Sequence, residues 1–327
     1  MANEIRNLAV LTGDNDGPGM NAAIRSAVRM ALHQGWAVWG VRRGIEGLLR
    51  GDLVALDSRS VSHIIEVGGT FLGTSSCRML DEPGVLQSAV ASLRARGIEA
   101  LVIIGGRAGM ALAHSLDEAG VPTVGVPASI ENELLGTDVA IGVDTALNTA
   151  MESLDRIQDT ALAQQQAFVV EVGGERSGYL PLMAGIAGGA EVTCIAEAPM
   201  TLEQIARQVA VAQARGKGHC VIVVAEGATP DAHAIHAHLS ERQEEIGFTV
   251  YLTVLGRVQR GGPPTAKDRF LATRLGAAAV RALAEGRRDV MVGLEGESPV
   301  QTPLAEALAR RRPLDPAYLE LAAILAQ

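Results

Sequence analysis

A chain of 327 residues with 48% apolar residues and 37 glycines can bury a large core. Its net charge of −9 and pI near 5.3 exclude a nucleic-acid or anionic-membrane surface as the main partner. Cys77, Cys194 and Cys220 are odd in number, far apart and without metal-ligand spacing, so a reducing compartment, packed thiols and no zinc site are expected. Lys217 and Lys267 are the only lysines, which leaves anion recognition to arginine and provides no phosphate-loop lysine after Gly19. The opening MANEIRNLAVL leads into a strand rather than forming a secretory signal, and no apolar run reaches the roughly 18 residues of a membrane span. The expectation is a cytoplasmic protein that contacts neither membrane nor nucleic acid.

In chain order, Asn7–Thr12 reads as a strand, Gly13–Gly19 as a glycine-rich turn, and a helix begins near Met20 carrying Arg25 and Arg29. Strand, tight turn and helix N-terminus together converge unpaired N–H groups on one point, a ready anion site. Trp36–Val41 is the next strand, Ser60–Gly69 reads as a helix, and Gly84–Arg96 as an amphipathic helix. Ala100–Ile104 is a buried strand that ends in GGRAGM. Val121–Val126 is another, closed by Pro127, and its loop holds Ser129, Glu131, Asn132 and Glu133. Reacting groups in parallel α/β sheets belong at such strand ends. A helix follows from Asp144, with Ala146, Leu147, Met151, Leu154 and Ile157 on one face. Phe168–Val172 and Val221–Ala225 read as strands, Leu202–Arg215 as a helix, and Pro299–Gln327 as helical with an Ala- and Leu-rich packing face.

The segments LTGDNDGPGMNAAIR, GGTFLGTSSCR, IIGGRAGM, VPASIENELLGTDVAIGVDTALNTAMESLDRIQDTA, VVEVGGERSGYLPLMAGIAGGAE, VVAEG and TVLGRVQRGGPPTAKDR resemble the ATP-dependent 6-phosphofructokinase family in order and spacing, over nearly the whole chain. The resemblance implies an α/β fold of two similar Rossmann-like three-layer domains with mainly parallel sheets. It places residues 1–142 plus 256–305 in a larger nucleotide-side domain and 143–255 plus 306–327 in a smaller sugar-phosphate-side domain.

It also implies roles, several on altered residues. Glu131 stands where the family has an aspartate that receives the sugar hydroxyl's proton, and Glu133 where it has one near the metal; Ser129 replaces a threonine. A carboxylate displaced by one methylene, roughly 1 Å, costs about a hundredfold where positioning carries catalysis. Asp14 and Asn15 replace a glycine pair that lets the ATP phosphates approach. Ser76 stands in place of an arginine facing those phosphates, with Arg78 two residues on. Arg107, followed by Ala108 and Gly109, replaces the aspartate that holds magnesium, and a guanidinium there inverts the local charge and argues against any metal site.

On the sugar side the expected set is Gly173, Gly174, Glu226, Arg257 and Arg260, of which Glu226 and Arg260 match the family and Arg257 stands where it has a histidine. Gly173 and Glu175 replace a methionine and an arginine, and Gln166 and Tyr251 replace arginines that reach in from a neighbouring subunit. The family's separate effector site for ADP or phosphoenolpyruvate has better matches, at Arg25, Arg29, Glu191, Arg215, Lys217 and His219, with Arg59 beside Ser58 as the candidate for one further arginine and Gln158 in place of another. The main expectation is therefore a weak or inactive paralogue without resident cofactor. It would bind ADP, phosphoenolpyruvate or a sugar phosphate and form a dimer or tetramer, with an active phosphofructokinase as one candidate partner. The alternatives are an active ATP- and Mg-dependent 6-phosphofructokinase and a kinase for another sugar phosphate.

Overall fold

The computed structural model describes residues 5–77 and 82–326. The chain divides into two compact units, Met1–Thr145 with Arg260–Arg312, and Ala146–Gln259 with Pro313–Gln327.

The first unit is built on seven strands: β1 (Asn7–Thr12), β2 (Ala37–Val41), β3 (Leu53–Leu56), β4 (Ala100–Gly105), β5 (Thr123–Pro127), β10 (Val290–Glu295) and β11 (Ser298–Pro303). Their order across the sheet is β11-β10-β5-β4-β1-β2-β3, parallel except for the antiparallel pairs β2–β3 and β10–β11. Successive residues alternate between two covered faces, so the central strands are apolar apart from Asn7, Thr12 and Thr123 at their ends. Leu8, Val10, Val102 and Ile104 pack under α1 (Met20–His33) and α10 (Ala266–Ala284). Ala9, Leu11, Leu101 and Ile103 face the layer of α2 (Gly44–Arg50), α3 (Val85–Ala95) and α4 (Arg107–Glu118). The chain winds outward from β1 through β2 in one direction and from β4 through β5 in the other. The carboxyl ends of β1 and β4 thus flank a switch point, where open α/β sheets bind their ligands.

Helix α5 (Val143–Gln164) carries the chain into the second unit, whose four strands β6 (Gln166–Val172), β7 (Val192–Cys194), β8 (Cys220–Ala225) and β9 (Thr249–Val254) are all parallel in the order β7-β8-β6-β9. Helices α6 (Tyr179–Ala187), α7 (Leu202–Ala214), α8 (Ala232–Ser240), α9 (Gln243–Ile246) and α12 (Pro316–Leu325) complete it. Helix α7 starts where Thr201 accepts the Gln204 N–H and the Gln204 side chain returns to the Thr201 N–H, a reciprocal cap legible in the sequence TLEQ.

One expected helix is absent and another stretch is helical only in part. Ser60–Gly69 is a series of turns, because His63 and Gly69 take positive φ and Asn21 ties up the carbonyls of Val67 and Gly68 and the N–H of Phe71. The stretch from Pro299 begins as an edge strand paired with β10, and becomes helical only in α11 (Leu304–Ala309) and α12. Proline is compatible with an outer strand whose N–H side faces away from the ladder. No helix among the described residues is long and apolar enough to cross a membrane.

Candidate functional site

Three backbone segments meet at the switch point of the first unit. The Gly13 N–H donates to the Ile104 carbonyl at 2.8 Å. A Cβ on Gly13 would stand 3.2 Å from the Gly109 Cα, and one on Gly105 would stand 3.3 Å from the Gly13 Cα. The turn after β1 therefore lies directly on the start of α4, so close that a side chain at either glycine would press the backbone opposite it aside by a few tenths of an ångström. Helix α4 has no acidic residue in its first turn and no side-chain cap from Gly106. Its Arg107 N–H instead donates to Oε1 of Glu133 at 3.3 Å, and the Ser129 hydroxyl donates to Oε2 of the same carboxylate at 2.6 Å. Glu133, only 7% exposed, thus supplies negative charge to the positive end of α4 from the loop after β5.

That loop is held from both sides. The Ser129 N–H donates to the Ile141 carbonyl, and the Ser129 hydroxyl oxygen accepts the Glu131 N–H at 3.2 Å. Asn132 sits in the left-handed region at φ 52°, where its side chain accepts the Ala140 N–H and donates to the Asp138 carbonyl. Asn tolerates this conformation and bonds its own loop, so Glu131 is carried half-exposed beside Ser129. Behind the loop, fully buried Asp268 accepts the N–H groups of Gly142 and Thr145 and the Thr145 hydroxyl. Burial pushes the Asp268 carboxyl above the ordinary carboxylate range against the pull of those donors. Asn132 and Asp268 had no role in the sequence reading, although TAKD from Thr265 is a helix-start signature for α10.

Of the other residues expected around the nucleotide, Asn15 donates to Asp14, and Asp14 lies near enough to Cys77 to add to the burial that pushes this thiol up to about 12. Ser76 is exposed on the segment before Cys77, and Arg78 lies outside the described residues. Arg107 corrects an expectation. Its guanidinium does not occupy the strand ends but donates to the carbonyls of Leu308 and Arg310, at the C-terminus of α11. A cation is favoured there by the unsatisfied carbonyls of a helix end, so the inverted charge foreseen at the metal position is drawn aside.

In the second unit, Gly173, Gly174 and Glu226 come together at the carboxyl ends of β6 and β8: the Glu226 N–H donates to the Val172 carbonyl and the Gly227 N–H to the Gly174 carbonyl. Fully buried Gln259, also unforeseen, accepts the Gly173 N–H and donates to the Gly256 carbonyl, fixing the short 3-10 turn that carries exposed Arg257. Arg260 belongs to the first unit. The effector set divides likewise, with Arg25, Arg29 and Arg59 in the first unit and Glu191, Arg215, Lys217 and His219 in the second. Within the latter group, buried Glu191 accepts from Lys217 Nζ at 3.0 Å and from the Val221 N–H at 2.7 Å, so Lys217 already has a counter-charge.

A family model described as Phosphofructokinase matches residues 7–283. The chain belongs to the phosphofructokinase family. It is 45% identical over 322 residues to the ATP-dependent 6-phosphofructokinase of Thermotoga neapolitana, covering 98% of this chain and 100% of that one. It is 47% identical over 325 residues to ATP-dependent 6-phosphofructokinase 1 of Thermus thermophilus, with 98% and 100% covered. Among solved structures, Pichia pastoris phosphofructokinase in the T-state superposes with a TM-score of 0.87 at 32% identity, over 94% of this chain and 36% of that longer one.

The phosphofructokinase comparison raises the question of magnesium. Among the described residues no three of His, Cys, Asp and Glu form a metal cage. Magnesium that travels on nucleotide phosphates requires only one or two protein carboxylates. Glu133 fits that part: a carboxylate has about four acceptor sites, and the Arg107 N–H and Ser129 hydroxyl use two of them.

Proposed function

We propose that the chain transfers phosphoryl groups from ATP to fructose 6-phosphate, as a slow 6-phosphofructokinase. Sequence identity of 42–47% to relatives named ATP-dependent 6-phosphofructokinase, over 95–98% of this chain, supports the reaction class. The observation that carries the reading is the placement of Glu131 beside Ser129, on a loop clamped by Asn132, next to the backbone cradle of Gly13, Gly105 and Gly109.

In this reading the cradle and the start of α4 receive the phosphates, and Glu131 takes the proton from the attacking sugar hydroxyl. Ser129 fixes the backbone that presents Glu131. Glu133 would be the residue that holds a magnesium ion, whose chemistry is to neutralise phosphate charge. Gly173, Gly174, Glu226 and Arg257, all in the second unit, would face the sugar phosphate. Turnover is slow because Asp14 brings negative charge to the phosphates, Ser76 brings none to oppose them, and Glu131 and Glu133 are each one methylene too long.

A second reading, a non-catalytic paralogue that binds ADP, phosphoenolpyruvate or a sugar phosphate as a homo-oligomer, is favoured by the bonds that already occupy Glu133 and by Arg25, Arg29, Arg215, Lys217 and His219 at effector-site positions. A coupled assay at high protein, ATP, magnesium and fructose 6-phosphate decides between them. Turnover that disappears in Glu131→Gln establishes the kinase. No turnover in the parent protein, with calorimetric ADP binding that is lost in Lys217→Ala, establishes the paralogue.

A further inference from the structure

The first unit has a second concavity, at the opposite end of its sheet from the loops described above. A cavity of about 500 Å³ opens at the amino ends of β1, β4 and β5. Ile98, Val121, Pro122 and Leu283 form its apolar wall, and this volume is in the range of small-molecule sites.

The charges around it do not cancel. Arg288 is spent, because its Nε and NH2 groups grip the buried Asp117 carboxylate at 2.7–3.1 Å. Glu99 uses one oxygen to accept the N–H groups of Arg6 and Asn7. Arg94 is held only loosely, by one long bond of 3.4 Å to the Ala119 carbonyl. Arg287 closes the end of α10 with its backbone N–H on Ala282, and among the described residues its guanidinium makes no ion pair. Arg94 and Arg287 against Glu99 leave one positive charge beside an apolar wall. The ends of α3, α4 and α10 contribute negative partial charge that favours arginines here, Arg287 at the end of α10 included, but it is no full counter-charge for Arg94 or Arg287.

We propose that this cavity is a second ligand site, for a small monocarboxylate with an apolar body, its carboxylate held by Arg94 and Arg287. An arginine fork matches a carboxylate, and the single excess charge suits a monoanion better than a dianion. Strand β5 joins the two ends of the sheet directly: Pro122 lines the cavity, and the strand's far end leads into Ser129 and Glu131.

The test is a ligand-observed NMR titration of the full chain with benzoate, with phenyl phosphate as the dianionic probe and benzyl alcohol as the neutral one. Benzoate is expected to bind saturably and most tightly of the three, unaffected by excess ATP, and at least about tenfold more weakly to the double variant Arg94→Gln, Arg287→Gln. Both arginines are exposed, so an unchanged melting temperature should accompany that loss. Methyl shifts of Val121 and Leu283 on benzoate addition give a readout that needs no variant. Absence of saturable binding, competition by ATP, tighter binding of phenyl phosphate, or unaltered binding by the double variant would each overturn the proposal.

Discussion

Arg107 donates its guanidinium to the carbonyl of Leu308, across two hundred residues of sequence, while its own backbone N–H rests on Glu133. One residue thereby joins the head of α4 to the tail of α11. Arg312 reinforces the join: its N–H donates to the Glu133 carbonyl at 2.8 Å and its guanidinium to the Asp138 carbonyl. The segment Leu308–Arg312 therefore lies along the loop that carries the candidate base.

Replacing this arginine separates its structural from its electrostatic effect. Arg107→Ala loses charge-assisted bonds to two carbonyls, and a half-buried site makes that worth about 1–2 kcal/mol in urea unfolding. Arg107→Asp loses the same bonds but adds a carboxylate beside Glu133, and kcat/KM for ATP at saturating magnesium is expected to rise about tenfold above that of Arg107→Ala. Equal rates for the two variants would show that the position does not face the phosphates.

Glu133→Gln keeps the shape of the cap on α4 and removes its charge. Stability should fall by about 1 kcal/mol, the usual scale for an N-terminal cap, and kcat should fall at least about tenfold. Unaltered stability in urea would mean that the contact with Arg107 is not maintained in solution.

Asp268→Asn substitutes an amide where three donors converge in a fully buried pocket. One or more of them loses its acceptor, at a cost of about 2–3 kcal/mol in chemical denaturation. Activity should fall as well, because Gly142 follows directly on Ile141, whose carbonyl accepts the Ser129 N–H. A variant as stable as the parent would contradict the anchoring role.

His114 gives the fold a pH dependence. Its hydrogen bond to Asp289, at 2.8 Å, raises its pKa above the ordinary 6.5 despite partial desolvation, with further help from the charges of Asp289, Glu118 and Asp117. A histidine whose folded pKa is raised stabilises fully below its unfolded value and loses that contribution as pH rises through the folded one. The melting temperature of the parent protein should therefore exceed that of Asp289→Asn by more at about pH 6 than at about pH 8.5. A gap that is constant with pH would remove His114 as its source.

The central strands β1, β2, β4 and β5 were legible as apolar runs in the core of the sheet, whereas β3 and β10 were not read and β11 lay in a stretch expected to be helical. Asn7–Thr12 could be read to the residue, and α7 nearly so, since a buried run and a Thr201–Gln204 cap are local signals. The turns at Ser60–Gly69 were not, since what opposes a helix there is Asn21, forty-odd residues earlier. At the site, the residue types after β5 pointed to carboxylate chemistry, and the family resemblance named their roles. The direction of the Arg107 side chain was out of reach, because the acceptors that draw it belong to a helix at the far end of the chain. Asp268 had no assigned role for a similar reason: its partners Gly142 and Thr145 lie more than a hundred residues away, and only the fold brings them together.

Strand β11 carries Pro299 and Pro303 opposite Leu294 and Val290 of β10. A rim interrupted by residues that lack an N–H cannot template another strand in register. Growth of the seven-stranded sheet into fibrils or runaway polymers is blocked on that side, so any orderly assembly of the first unit has to recruit its helical faces or the short margin at β3.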